Sequence, residues 1–296
     1  MRTQVLSFTV RFVLLAAFAS SFALSARGAD LFPDKALEAA VRKFSPTKRD
    51  TDMPLTVDDV KDLSTVEGVG KGIKDLTGLE NCKSLALLNL KGNEIVDLTP
   101  IKDLKGIQSL DLSKNKIKDL KPLEGLTALQ YLELSSNEIS DIAPIAKLEK
   151  LNSLYLSKNK LSDLSPVAGL KRLWSLYLDR NGISDLKPLT GIKGLTSLDL
   201  RGNQVSDLAP ISHMTELKYL LLDENKVSDL SVLIDMAKKD LEKQKRFAPY
   251  WQIFLHGNPV KPEQVEELKK HAKLVKLEPA EKKAETNAEK PAEKKS

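Results

Sequence analysis

Side-chain chemistry usually starts from histidine, cysteine or clustered carboxylates, and this chain is poor in the first two. His213, His256 and His271 are its only histidines, each isolated, with no H-E-x-x-H, G-x-S-x-G or paired C-x-x-C around them. The single cysteine, Cys82, lies in "LENCKSL" between two leucines, a setting for a small buried hydrophobe rather than a reactive thiol. "EGVGKG" gathers glycines as a phosphate cradle would. Gly70-Lys71 is followed by Gly72 instead of Ser or Thr, however, and no glycine stands five residues before Gly70. "DRNG", from Asp179 to Gly182, opens like a calcium loop but lacks the acidic ligands that should follow. No catalytic residue, metal site or cofactor is read here, and the chain is expected not to be an enzyme.

What does recur is asparagine. Asn93, Asn115, Asn137, Asn159, Asn181, Asn203 and Asn225 stand 22 residues apart, and Asp97, Asp119, Asp141, Asp163, Asp185, Asp207 and Asp229 keep the same interval. Around each asparagine the chain reads L-x-x-L-x-L-x-x-N-x-I-x-D-L-x-P-L, the leucine-rich repeat pattern. The alternation L-x-L turns two leucines of a short strand inward and leaves the intervening side chains outward. One such unit buries nothing alone; stacking lays strands about 4.8 Å apart and joins the leucines into a continuous core. The asparagine amide, where the chain leaves the strand, can bond backbone groups of its own coil and its neighbour that would otherwise be buried unpaired. The aspartate can accept N–H groups of the following turn, where proline presets φ for a short 3₁₀ segment. The fold class is thus α/β: a solenoid with a curved parallel sheet on its concave face, 3₁₀ turns on the convex face, and helical caps.

The outward columns are the candidate site. Counting from the first leucine, Tyr131 and Tyr219 hold the third position; Glu133, Tyr155, Tyr177, Asp199 and Phe254 the fifth; Asp179 the seventh; Trp174 the second. Rigid aromatics among charges suit a protein or peptide ligand. The alternative is a carbohydrate or envelope polymer stacked on the tyrosines, whereas acidic residues in the middle column disfavour nucleic acid. Eight or nine strands would make a stripe about 40 Å long, enough for an interface of roughly 800 Å² per partner.

At the amino terminus, Arg2 and Arg11 precede an apolar run from Phe12 to about Ala23 that ends in small residues, which reads as a secretory signal peptide over 1–26. The run is shorter than the roughly 20 apolar residues of a membrane anchor, so no stable span is expected after cleavage. Residues 30–62 form a helical cap, from the spacing of Leu37, Ala40, Val41 and Phe44 and a Thr56–Asp59 capping arrangement. Repeats fill 63–260, the first being degenerate, with Lys71 in the asparagine's place. The next asparagine after Asn225 is Asn258, 33 residues on, and the excess predicts a helical insertion near 232–247. A closing helix is expected over 261–276, and 277–296 is a Lys/Glu/Ala tail with too little apolar matter to fold. The net charge of +5 in a chain with 29% charged residues argues for solubility rather than for nucleic acid.

The cap "FPDKALEAAVRKF", "LTVDDVKDLSTVEG" and the seven 22-residue units together resemble the bacterial internalin-type leucine-rich repeat proteins, over about residues 31–275. The resemblance implies a curved solenoid that binds macromolecules on its concave sheet. The 277–296 stretch shows neither the immunoglobulin-like module nor the wall-anchoring motifs of surface-displayed members, so no host-receptor function is carried over. With the leader, the expectation is a secreted or periplasmic binding scaffold; an intracellular repeat protein regulating a phosphatase is the rival that the leader argues against.

Overall fold

The computed structural model describes residues 30–243 and 247–278. The leader read at 1–26 lies outside these residues, as does the tail from 279 onward. Ten three-residue strands form one parallel sheet in sequence order: β1 (Thr65–Glu67), β2 (Leu87–Asn89), β3 (Ser109–Asp111), β4 (Tyr131–Glu133), β5 (Ser153–Tyr155), β6 (Ser175–Tyr177), β7 (Ser197–Asp199), β8 (Tyr219–Leu221), β9 (Gln252–Phe254) and β10 (Leu274–Lys276). From β1 to β8 each residue pairs with the one 22 positions on, so Leu110, Leu132, Leu154, Leu176, Leu198 and Leu220 form a single buried column.

The asparagine ladder explains that constancy. Asn137 Oδ1 accepts the N–H of Ile117 at 3.0 Å while its Nδ2 donates to Leu112 O at 3.0 Å and Leu134 O at 2.9 Å. Asn93, Asn115, Asn159, Asn181, Asn203 and Asn225 repeat the pattern, each accepting from the residue twenty positions earlier at 2.9–3.0 Å. Asn258 does so across the longer step, to Val227 N at 3.0 Å. Each amide serves the coil before its own. The first coil has none before it, which is why Lys71 can stand where an asparagine otherwise would. On the convex side the aspartates accept the N–H two residues on, as Asp97 does from Thr99 and Asp119 from Lys121, both at 2.8 Å. They open 3₁₀ turns such as Thr99–Ile101 and Lys121–Leu123, with proline in the first turn.

At the amino-terminal end, helix α1 (Lys35–Arg42) buries Leu37, Ala40 and Val41, and α2 (Val57–Val60) opens on a Thr56–Asp59 capping box. Asp34 joins cap to stack. Its Oδ1 accepts the N–H groups of Ala36 and Leu37, and its Oδ2 those of Lys74 (2.8 Å) and Asp75 (3.1 Å) in the first coil. Burial alone would raise the carboxyl pKa; the four donors outweigh it and hold the pKa below the ordinary value. Gly78, at φ 105°, lets the cap approach so closely that a Cβ there would lie 2.3 Å from Leu31 O.

After β8, helix α3 (Ser231–Lys243) replaces a 3₁₀ turn and buries Leu233, Ile234, Met236 and Ala237. The buried Asp240 carboxylate receives the returning chain from Phe247 N (3.2 Å) and Ala248 N (3.0 Å). Helix α3 stands where the other coils carry a 3₁₀ turn, and β9 rejoins the sheet with Tyr219 opposite Gln252. The stretch read as one helix over 261–276 divides. Helix α4 (Pro262–Lys269) ends early, and β10 adds to the sheet, donating Leu274 N to Trp251 O (3.1 Å) and accepting Leu255 N at Lys276 O (2.8 Å). In β10 Val275 turns inward beside Ile253, with Leu274 and Lys276 half-buried on the other face, so the pairing offered by the exposed edge of β9 overrides the helical spacing before it. Among the described residues, no helix is long and apolar enough to cross a membrane.

Candidate functional site

The outward columns follow from the pleat, and most of their side chains are half-buried against their neighbours rather than standing free. Tyr155 and Tyr177, in register on β5 and β6, stack with ring centroids 4.9 Å apart and planes 26° apart, one strand spacing as the shared column requires. Tyr131 joins diagonally from the third position of β4, 5.4 Å from Tyr155 with a 44° tilt. Burial raises the pKa of both hydroxyls, and Ser153 and Ser175 oppose the rise at Tyr155 as Ser197 does at Tyr177. Serines of the third column, Ser153, Ser175 and Ser197, are thus the polar neighbours of the two rings. Trp174 caps the rim, 53% exposed, with Nε1 donating to Ser153 Oγ at 2.8 Å.

The carboxylates differ sharply. Asp199 is 0% exposed and does not face solvent as its column suggests; the Arg201 guanidinium covers it, Nε donating to Oδ1 at 2.9 Å and Nη2 to Oδ2. Burial raises the Asp199 pKa, and the guanidinium beside it opposes the rise. Sequence reasoning places Arg201 near one rim of this face and misses its pairing with Asp199, although residues i and i+2 of an extended strand share a face. Glu133, in the same column three coils earlier, accepts Ser135 N at 2.7 Å and meets no cation at ion-pair distance among the described residues. Burial first, and the neighbouring Asp111 charge after it, push its carboxyl pKa up to about 7 against the pull of Ser135 and the more distant charge of Lys91.

The structure thus brings Tyr131, Glu133, Tyr155, Trp174 and Tyr177 together. Asp179, half-buried at the seventh position, borders them; Tyr219 (44% exposed) and half-buried Phe254 lie farther along the sheet, the latter under Lys276 Nζ at 5.8 Å. The eighth position, between the outward columns and the asparagine, adopts left-handed backbone at Lys114, Ser136, Lys158, Arg180 and Glu224 as well as at Gly92 and Gly202. This was not legible in the sequence, because only some repeats mark it with glycine. Cys82 is buried, and burial pushes its thiol pKa up to about 12, leaving no nucleophile there. Among the described residues, no three His, Cys, Asp or Glu side chains are grouped to hold a metal ion.

The leucine-rich repeat family model, two copies per match, fits residues 105–147 and 193–235. A crystal structure of an internalin C2 from Listeria monocytogenes is 35% identical, with a TM-score of 0.67, over 70% of this chain and 91% of that one. The chain belongs to the internalin-type leucine-rich repeat family. A second Listeria monocytogenes internalin, InlF, is 26% identical over 85% of this internalin-type chain and 92% of its own, with a TM-score of 0.54. A leucine-rich repeat protein of Leptospira interrogans is 25% identical over 68% and 57% of the two chains, with a TM-score of 0.59. A search of curated proteins returns no match.

Proposed function

We propose that this protein is an exported, non-catalytic recognition scaffold whose concave sheet binds a protein or peptide, in the periplasm or outside the cell. The observation that carries the reading is the continuous run of Tyr131, Tyr155 and Tyr177 with Trp174 at its rim. Aromatic anchors on a rigid sheet supply binding area at little entropic cost, since two torsions fix each ring. The family supports the scaffold; the apolar leader supports export. Phosphatase regulation inside the cell has no such support.

The test is co-purification from the exported fraction, followed by Tyr155→Ala with Tyr177→Ala. The pair is expected to weaken binding at least tenfold, since aromatic anchors can each contribute about 2 kcal/mol or more, while circular dichroism stays unchanged. Lys121→Ala with Lys187→Ala, on the convex turns, serves as control and should alter nothing. Unchanged binding by the tyrosine pair would remove the concave site, and retention of a glycan instead of a protein would favour the carbohydrate reading.

A further inference from the structure

The guest can be described further, provided the concave reading holds. Across β1–β9 the third and fifth columns contain Glu67, Asp111, Glu133 and Asp199 but no lysine or arginine, in a chain whose net charge is +5. Asp199 is neutralised within the protein by Arg201. Glu67, Asp111 and Glu133 have no lysine or arginine at ion-pair distance among the described residues; Lys91, in the seventh column, acts on Glu133 only from beyond that distance. Asp111 and Glu133 are also direct register partners on adjacent strands, an arrangement of like charges that works against folding.

Their hydrogen bonds come from neutral donors alone. Asp111 accepts from Ser113 N and Oγ at 2.9 and 2.7 Å, and Glu133 from Ser135 N at 2.7 Å. Both carboxylates act on Tyr131, whose ring is 5.4 Å from that of Tyr155. Negative charge and aromatic rings therefore meet at one place, the β3–β5 step. A cation seated there would gain charge-assisted bonds and a ring partner, and would relieve the repulsion.

We propose that this step receives a lysine or arginine side chain of a protein partner, carried on an extended basic segment that crosses the strands over the tyrosines. Tyr131 and Tyr219 stand four coils apart in the third column, about 19 Å at one strand spacing per coil, which an extended segment of about six residues spans. Complementarity of charge selects this guest over an acidic peptide or an uncharged glycan.

The probe is a fluorescein-labelled heptalysine, with heptaglutamate and maltoheptaose as controls, titrated by anisotropy against the full chain at about 0.15 M salt. Heptalysine is expected to bind, and the controls not. Asp111→Asn with Glu133→Gln keeps size and the serine bonds, and should weaken heptalysine at least tenfold with unchanged circular dichroism; Tyr155→Leu should weaken it about threefold. No binding of heptalysine, binding by the charge-neutral pair within twofold of the parent, or equal binding of heptaglutamate overturns the proposal. The same charge-neutral pair, tested on the co-purifying partner, separates the two readings. If the tyrosine pair abolishes capture and the charge-neutral pair leaves it intact, the concave site stands and the basic guest falls.

Discussion

The asparagine ladder and the fifth outward column run side by side through the same coils, yet they behave oppositely. Along the ladder each asparagine from Asn93 onward offers the same amide to the same three backbone groups. Along the fifth column neighbours change from Asp111 to Glu133, Tyr155, Tyr177 and Asp199, and even two carboxylates meet different fates. Asp199 is enclosed and paired, whereas Glu133 is enclosed without a cation at ion-pair distance among the described residues. Uniformity holds the backbone, and departure from uniformity is where recognition can be written.

The comparison breaks most visibly at Arg201. Removing it by Arg201→Ala strands a buried charge and should cost about 3–5 kcal/mol at pH 8, read as a urea midpoint, with most of the loss recovered in the double variant that adds Asp199→Asn. A double variant as unstable as the single one would mean that Arg201 acts through packing alone. On the ladder, Asn159→Ala frees Ile139 N, Leu134 O and Leu156 O, and roughly 1–3 kcal/mol should be lost. Asn115→Ala should lose a similar amount, and a large gap between these two coils would deny that the ladder is uniform.

Glu133 sharpens the contrast through pH. Its folded-state pKa, about 7, lies above the ordinary 4.5. Its contribution to stability is therefore fully present below about pH 4.5 and is lost as pH rises through about 7. Glu133→Gln, which keeps an acceptor for Ser135, should be more stable than the parent by roughly 3 kcal/mol at pH 8.5 and no different at pH 4. Melting curves that show the same offset at both pH values would contradict a buried, ionising carboxyl. The smallest effect belongs to the left-handed eighth position. Ser136 has φ 58°, so Ser136→Gly should gain up to about 1 kcal/mol, and a loss would show that its side chain matters more than its backbone.

What could be seen beforehand divides along the same line. Leucines and asparagines repeat, and repetition is visible in one sequence; hence the solenoid, its register and the tyrosine column were legible. The Asp199–Arg201 pairing was not, because burial at an outward position depends on what lies across the face, and nothing periodic announces it. The β10 strand was hidden for another reason: Val265, Leu268 and Ala272 set a helical rhythm that carries the eye past His271 into Leu274. Glu133 stood in view as a residue, but its altered acidity comes first from burial and then from the Asp111 charge beside it, neither of which one repeat announces.

The 33-residue step from Tyr219 to Gln252 differs from every earlier step, yet the strands still meet in register. Helix α3 takes up the surplus behind the sheet, between the same two kinds of strand that a 3₁₀ turn joins elsewhere. Length and address are therefore stored on opposite sides of this molecule. A coil can be enlarged on its outer side while the side chains on the inner side keep their spacing of about 4.8 Å per coil. An insertion there leaves the ruler's marks where they were.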